Sequence, residues 1–114
     1  MRKNRDRLSI VAAVLKAAAD GANKTGIMYG ANLSYKLLEK YLETTLSAGF
    51  VQVESSGYGL TDRGRDFLSR YRRFKNKHFK VQEKLEDLAE ERTVLEKLCW
   101  KGRSDLEVGL VKGE

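Results

Sequence analysis

The sequence predicts a mainly α chain, α+β in detail: a head of three helices closed by a small β-hairpin, continued by one long helix. Three observations predict it. Apolar residues recur at helical spacing in separate runs before residue 50. A short alternating stretch follows, broken by Ser55-Ser56-Gly57. From Phe67 to Cys99 apolar residues then obey a seven-residue rule with no glycine or proline between them.

The first helix falls near residues 5–20, where Leu8, Val11, Val14, Leu15 and Ala18 share a face and Gly21 suits the position just past a helix end. Lys24 to Gly30 reads as a short second helix with Ile27 and Met28 turned inward and Thr25 as its cap. Gly26 and Gly30 weaken that helix. In ANLSYKLLEKYLETTLSAGFV, Ser34 is an N-cap whose hydroxyl can accept from an orphan backbone N–H. Leu33 and Leu38 flank it at the spacing of a hydrophobic staple. Leu37, Leu38, Tyr41, Leu42, Thr45 and Leu46 make the inward stripe of this third helix, and Gly49 ends it. Ser34, Tyr35, Lys36, Glu39, Lys40 and Glu43 are left outside.

Phe50 to Glu54 reads as a half-buried strand, Ser55-Ser56-Gly57 as a turn and Tyr58-Gly59-Leu60 as the returning strand. Thr61 caps the next helix, with Asp62 well placed for its dipole. Along that helix Phe67, Phe74, Val81, Leu88 and Leu95 are spaced by seven, and Tyr71, His78, Leu85, Arg92 and Cys99 follow each by four. Such a seam, about 50 Å long, is too long for so small a head to cover. Another copy of the chain is the simplest partner. In an antiparallel pair centred between Val81 and Leu85, Phe74 meets Arg92 and His78 meets Leu88. Arg92 on the Phe74 ring contributes roughly 0.5–2 kcal/mol, whereas a parallel pair sets Arg92 on Arg92 and His78 on His78. The predicted domains are a head over 1–66, a coiled-coil dimerisation helix over 67–100, and a tail over 101–114.

Length and composition agree. A chain of 114 residues with 41% hydrophobic residues can pack one small core and is not a disordered chain. No apolar run reaches the roughly 18 residues that a membrane span needs. The basic start, MRKNRDRLSI, lacks the long apolar stretch of a signal peptide, so a cytoplasmic chain is expected. The net charge of +6 favours a polyanionic partner. That charge is localised: Arg2, Lys3, Arg5 and Arg7 in an N-terminal arm, and Arg70, Arg72, Arg73, Lys75, Lys77 and Lys80 in a cluster, against an acidic flank over 83–98.

Helix, short helix, helix, hairpin, helix is the order of a winged helix-turn-helix. The runs KTGIMYGANLSYKLLEKYLETTLSAGFV and YGLTDRGRDFL resemble the archaeal winged helix-turn-helix DNA-binding family that includes small dimeric chromatin-associated proteins and transcription regulators. The resemblance covers about residues 5–70 and is most specific at Ile27-Met28-Tyr29, Ala31 to Tyr35, the Gly49-Phe50-Val51 join and Leu60-Thr61 through Gly64-Arg65. It implies double-stranded DNA as partner, a nucleoid-associated place in the cytoplasm, and a homodimer paired through the C-terminal helix in antiparallel fashion.

In a helix-turn-helix the start of the third helix reaches base edges in the major groove. On that basis Ser34 and Tyr35 are candidates for phosphate or base contacts, and Lys36 and Lys40 for the backbone or guanine. Thr25 joins them from the second helix. Glu39 and Glu43 repel phosphate, which confines contact to the helix start. At the hairpin, Ser56 and Tyr58 either touch a minor groove or form a plain turn. Arg63 and Arg65 are either phosphate contacts or solubilising arginines, and the 70–80 cluster either clamps DNA or is a solvated flank. The arm over 1–7 is expected to be mobile and to add non-specific affinity. His78 and Cys99 sit in the seam with no second ligand or base beside them, so core packing is the reading and neither a metal, a cofactor nor catalysis is expected. The tail KGRSDLEVGLVKGE either returns as a strand or frays. The rival class is a winged-helix protein-interaction module without direct DNA binding, its acidic flank receiving a basic partner.

Overall fold

The computed structural model describes residues 5–101. The chain runs α1 (Arg7–Ala18), α2 (Lys24–Ala31), α3 (Tyr35–Ser47), β1 (Val51–Glu54), β2 (Gly57–Leu60) and α4 (Asp62–Glu96), followed by a π-helical turn at Lys97–Lys101. Residues 1–4, most of the basic arm, and residues 102–114, nearly all of the tail, lie outside the described residues. The chain divides into two compact units between Phe74 and Lys75.

In the first unit, local chemistry sets each helix start. Asp6 caps α1 by accepting from the Ser9 N–H at 2.8 Å. Asn23, not Thr25, caps α2, its side-chain oxygen accepting from Gly26 N–H at 2.8 Å; Thr25 lies inside the first turn, exposed. The reason is geometric, since only a residue with extended backbone just before the turn can reach back to the free amides. Despite its two glycines α2 continues to Ala31 and stops at Asn32. Asn32 takes a left-handed conformation (φ 57°), which asparagine tolerates better than most residues. Ser34 caps α3 as expected, accepting from Leu37 N–H at 3.2 Å.

The core draws on all of these elements: Val14, Leu15 and Ala18 from α1, Ile27 from α2, Leu38, Tyr41 and Leu42 from α3, Val51 and Leu60 from the hairpin, and Leu68 from α4. Leu33 and Leu38 are both buried, as a staple requires. Thr45 is fully buried, and its hydroxyl donates to Leu42 O at 2.9 Å. Three expected core residues are not in it. Leu8 is 48% exposed, Leu37 38% and Val53 71%. Each extends an apolar stripe past the point where another element covers it: the first turn of α1, the edge of α3 and the outer end of the hairpin.

The hairpin pairs Val51 with Leu60 and Glu54 with Gly57, antiparallel. A third, single-residue strand joins it: Ala22 and Tyr58 exchange both backbone hydrogen bonds, at 3.0 and 2.8 Å. Gly57 makes this approach possible. Its φ of 148° is closed to side chains, and a methyl there would run into the Ala22 carbonyl. Gly57→Ala should therefore cost about 1–3 kcal/mol in backbone strain plus the lost bridge, read as a lower urea midpoint in equilibrium unfolding.

Thr61 starts α4 with two bonds: its hydroxyl donates to Gly49 O at 2.6 Å and accepts from Gly64 N–H at 3.0 Å. Gly64 lies against the Phe50 carbonyl with no room for a Cβ. The Leu-Thr-Asp-Arg-Gly run thus supplies a core residue, a cap and a close approach in one turn. Phe67 and Tyr71, the first two seam positions, are half-buried on this unit, Phe67 stacking between Phe50 (4.9 Å) and Tyr71 (6.1 Å).

The second unit holds the rest of α4. There Phe79, Val81, Leu85, Leu88, Val94 and Leu95 are all more than half exposed. Arg92 and Glu96 form an i,i+4 ion pair at 3.2 Å, and Cys99 is exposed.

Candidate nucleic-acid interface

The outer face of α3 carries Tyr35, Lys36, Glu39, Lys40 and Glu43, all exposed. At 100° per residue Lys36 stands near the middle of this face, with Tyr35 and Glu39 on one edge and Lys40 and Thr44 on the other. Ser34 gives its oxygen to the cap, which leaves its proton to donate outward.

Each edge is joined by another helix. On the first, Lys24 of α2 reaches across to Glu39, Nζ to Oε2 at 2.6 Å, with its ammonium 5.9 Å from the centre of the Tyr35 ring. Lys24, with the Tyr35 phenol beside it, holds the Glu39 carboxyl below the usual carboxylate range. The bond to Glu39 raises Lys24 above an ordinary lysine, and the same carboxylate raises the phenol of Tyr35. Glu39 thus contributes stability that is present above its unfolded value and lost as pH falls through the depressed one. Lys24 contributes stability that is present below its unfolded value and lost as pH rises through the raised one. The bridge is therefore intact through the neutral range. Lys24→Met should move the Glu39 titration, followed by side-chain carboxyl NMR, upward toward an ordinary glutamate.

On the other edge, Lys40 and Arg7 line one open groove of about 240 Å³ with Leu8, Val11, Tyr41 and Thr44. The Lys40 ammonium lies 5.4 Å from the Tyr41 ring centre. Arg5 does not float with the arm: its guanidinium donates to Ala31 O at 2.9 Å and Asn32 O at 3.2 Å, at the end of α2 where carbonyls are unpaired.

The remaining expected residues lie elsewhere. Ser56 is exposed at the hairpin turn and Tyr58 is half-buried beside Ala22. Glu54 leans over Gly59 on the same hairpin. Arg63 donates from Nε to Ala48 O at 2.7 Å and lies 5.8 Å from the Phe50 ring centre. It closes the C-terminal end of α3, about 20 Å from Ser34. Arg65 pairs with Asp62 at 3.2 Å.

The structure thus brings Tyr35, Lys36 and Lys40 together with two cations that the sequence did not assign to a site, Lys24 and Arg7, while Arg5 is anchored at the end of α2. Glu39 is corrected too, because it is neutralised by Lys24 rather than left to repel. Among the described residues no group of three or more His, Cys, Asp or Glu is arranged to hold a metal, and no helix is long and apolar enough to cross a membrane.

Three helices, a hairpin wing and a long fourth helix define the winged-helix class, and sequence comparison agrees. A profile of the winged helix-turn-helix family matches residues 4–79, more than half of the chain. The chain belongs to that family, and the resemblance read from its motifs is borne out. An uncharacterized protein of Methanocaldococcus jannaschii is 30% identical over 69 residues, covering 60% of this chain and 71% of that one. Among solved structures the fold is similar to Sso10a-2, a DNA-binding protein from Sulfolobus solfataricus, with a TM-score of 0.59 at 23% identity over 80% of this chain and 96% of that one. It is also similar to the zinc-dependent MarR family transcriptional regulator AdcR, with a TM-score of 0.51 at 10% identity over 94% of this chain and 80% of that one.

Proposed function

We propose that the chain is a non-catalytic, homodimeric protein that binds duplex DNA in the cytoplasm, as a transcription regulator or an architectural protein of the nucleoid. One observation carries the reading: cations from three helices, Arg7, Lys24, Lys36 and Lys40, border a single exposed face of α3. Lys36 and Lys40 contact phosphate or guanine, and Thr25, Ser34 and Tyr35 add hydroxyls to the backbone contacts. Ser56 and Tyr58 bring the wing to the neighbouring groove without a cation, and Arg63 and Arg65 are outlying phosphate contacts. Membership of the winged helix-turn-helix family supports the reading, as does the DNA-binding description of Sso10a-2.

The exposed stripe from Phe74 through Leu85 to Leu95 supports the dimer, with the antiparallel register that puts Phe74 against Arg92 of the partner subunit. Seam residues 67–100 then act in two parts: Phe67 and Tyr71 bind the start of α4 to its own head, and Phe74, His78, Val81, Leu85, Leu88, Arg92, Leu95 and Cys99 form the dimer seam.

Salt decides between this reading and a protein-docking module. With six or more phosphate contacts in the dimer, duplex affinity should fall about a thousandfold between 50 and 200 mM salt. A flat response in a fluorescence anisotropy titration removes DNA from the account.

A further inference from the structure

Glu39 is an acid at the edge of the α3 face, and unlike Glu43 it is paired with a lysine from another helix, which suggests a use for it. The inference rests on the DNA-binding reading above. We propose that Glu39 reads cytosine in the major groove, accepting from the N4 amino group, while Lys24 holds its carboxylate in place.

Position comes first. Glu39 lies one turn beyond Tyr35 on the outer face of α3 and about 60° round the helix from Lys36, within the part of a recognition helix that reaches base edges. Charge comes next. An unpaired carboxylate there would be driven out by the phosphates, but Lys24 sits 2.6 Å from its Oε2, so the pair enters the groove with little net charge. Capacity follows. A carboxylate offers about four acceptor sites; Lys24 takes part of that capacity, and the Glu39 side chain is still 45% exposed.

Selectivity then follows from hydrogen-bond polarity. A carboxylate can only accept. Guanine offers N7 and O6 and thymine offers O4, all acceptors that repel it, and adenine sets its N6 donor beside the N7 acceptor. Cytosine alone offers its N4 donor without an acceptor on the same base edge. The holder matters because a free glutamate samples many rotamers. Bonded to Lys24 of α2, the Glu39 carboxylate is restrained while its side chain stays partly exposed.

Selection from random duplexes with the full chain and with Glu39→Gln tests the proposal, alongside circular dichroism to confirm that both are folded. The unaltered chain should enrich cytosine at least tenfold at one position of each half-site. Glutamine, which pairs with adenine N6 and N7 together, should move that enrichment to adenine and leave other positions alone. Lys24→Met, which keeps the carboxylate but frees it, should cut the cytosine preference at least threefold. The same preference in all three proteins, or none in the unaltered chain while duplex binding still weakens steeply with salt, overturns the role of Glu39 alone. Failure of the unaltered chain to bind any duplex overturns the DNA reading and this inference with it.

Discussion

Leu85→Asp is expected to turn a dimer into a monomer at micromolar concentration. In the proposed antiparallel pairing, centred between Val81 and Leu85, each Leu85 packs against Val81 of the partner subunit, so two-fold symmetry counts every change twice. Leu85 is 54% exposed in the single chain, and in the proposed pairing a second copy buries it. Losing it removes about 1.5–3 kcal/mol of apolar burial at each of the two sites. Placing a carboxylate in the seam adds a desolvation cost. A total of about 4 kcal/mol or more corresponds to roughly a thousandfold weaker dimer. Sedimentation equilibrium should return twice the chain mass for the unaltered protein and the chain mass for the variant. If the unaltered chain sediments alone while residues 75–96 stay helical, the seam has another occupant and the dimer is wrong.

Orientation has its own reporter in Cys99. In the antiparallel register the two Cys99 residues stand about 48 Å apart along the seam, far beyond the 7 Å that a disulfide allows between Cα atoms. Mild oxidation of the dimer should give no cross-link. A parallel pair would set Cys99 on Cys99 and cross-link readily.

How much of this could be read beforehand follows from the range of each interaction. The caps at Ser34 and Thr61 and the Leu33–Leu38 staple are contacts between residues three to five apart, and such contacts are written in the sequence. The cap of α2 was misplaced because Asn23 and Thr25 are both good capping residues two positions apart, and only backbone conformation chooses between them. Leu8, Leu37 and Val53 failed as core residues for another reason: periodicity tells which face is apolar but not where the covering element ends. The site was legible only along α3. Lys24 meets Glu39 across fifteen positions of sequence, and Arg5 meets Ala31 across twenty-six. Nothing local couples those pairs: the turn at Asn32 sets α2 beside α3 for the first, and the packing of α1 on α2 brings the second together. For the same reason Glu39 looked repulsive in the sequence and is neutralised in the fold.

Lys36→Glu with Lys40→Glu should weaken duplex binding at least tenfold in a gel shift and leave the dimer intact. Lys36 is central on the exposed face of α3, and Lys40 shares its groove with Arg7. Each lysine neutralises about one phosphate, so the pair should also lower the slope of log affinity against log salt by about 2 per head. Reversal of charge goes further than removal, because each new carboxylate repels the phosphate that the lysine attracted. The fold should tolerate both changes, since neither side chain enters the core. The matched control is Lys84→Glu with Lys97→Glu, the same change in net charge placed on the acidic flank of the second unit. If binding depended on overall charge alone, the two double variants would lose affinity equally. A loss confined to the α3 pair assigns the contact to that helix, and equal affinity for the α3 variant and the unaltered protein removes α3 from the interface.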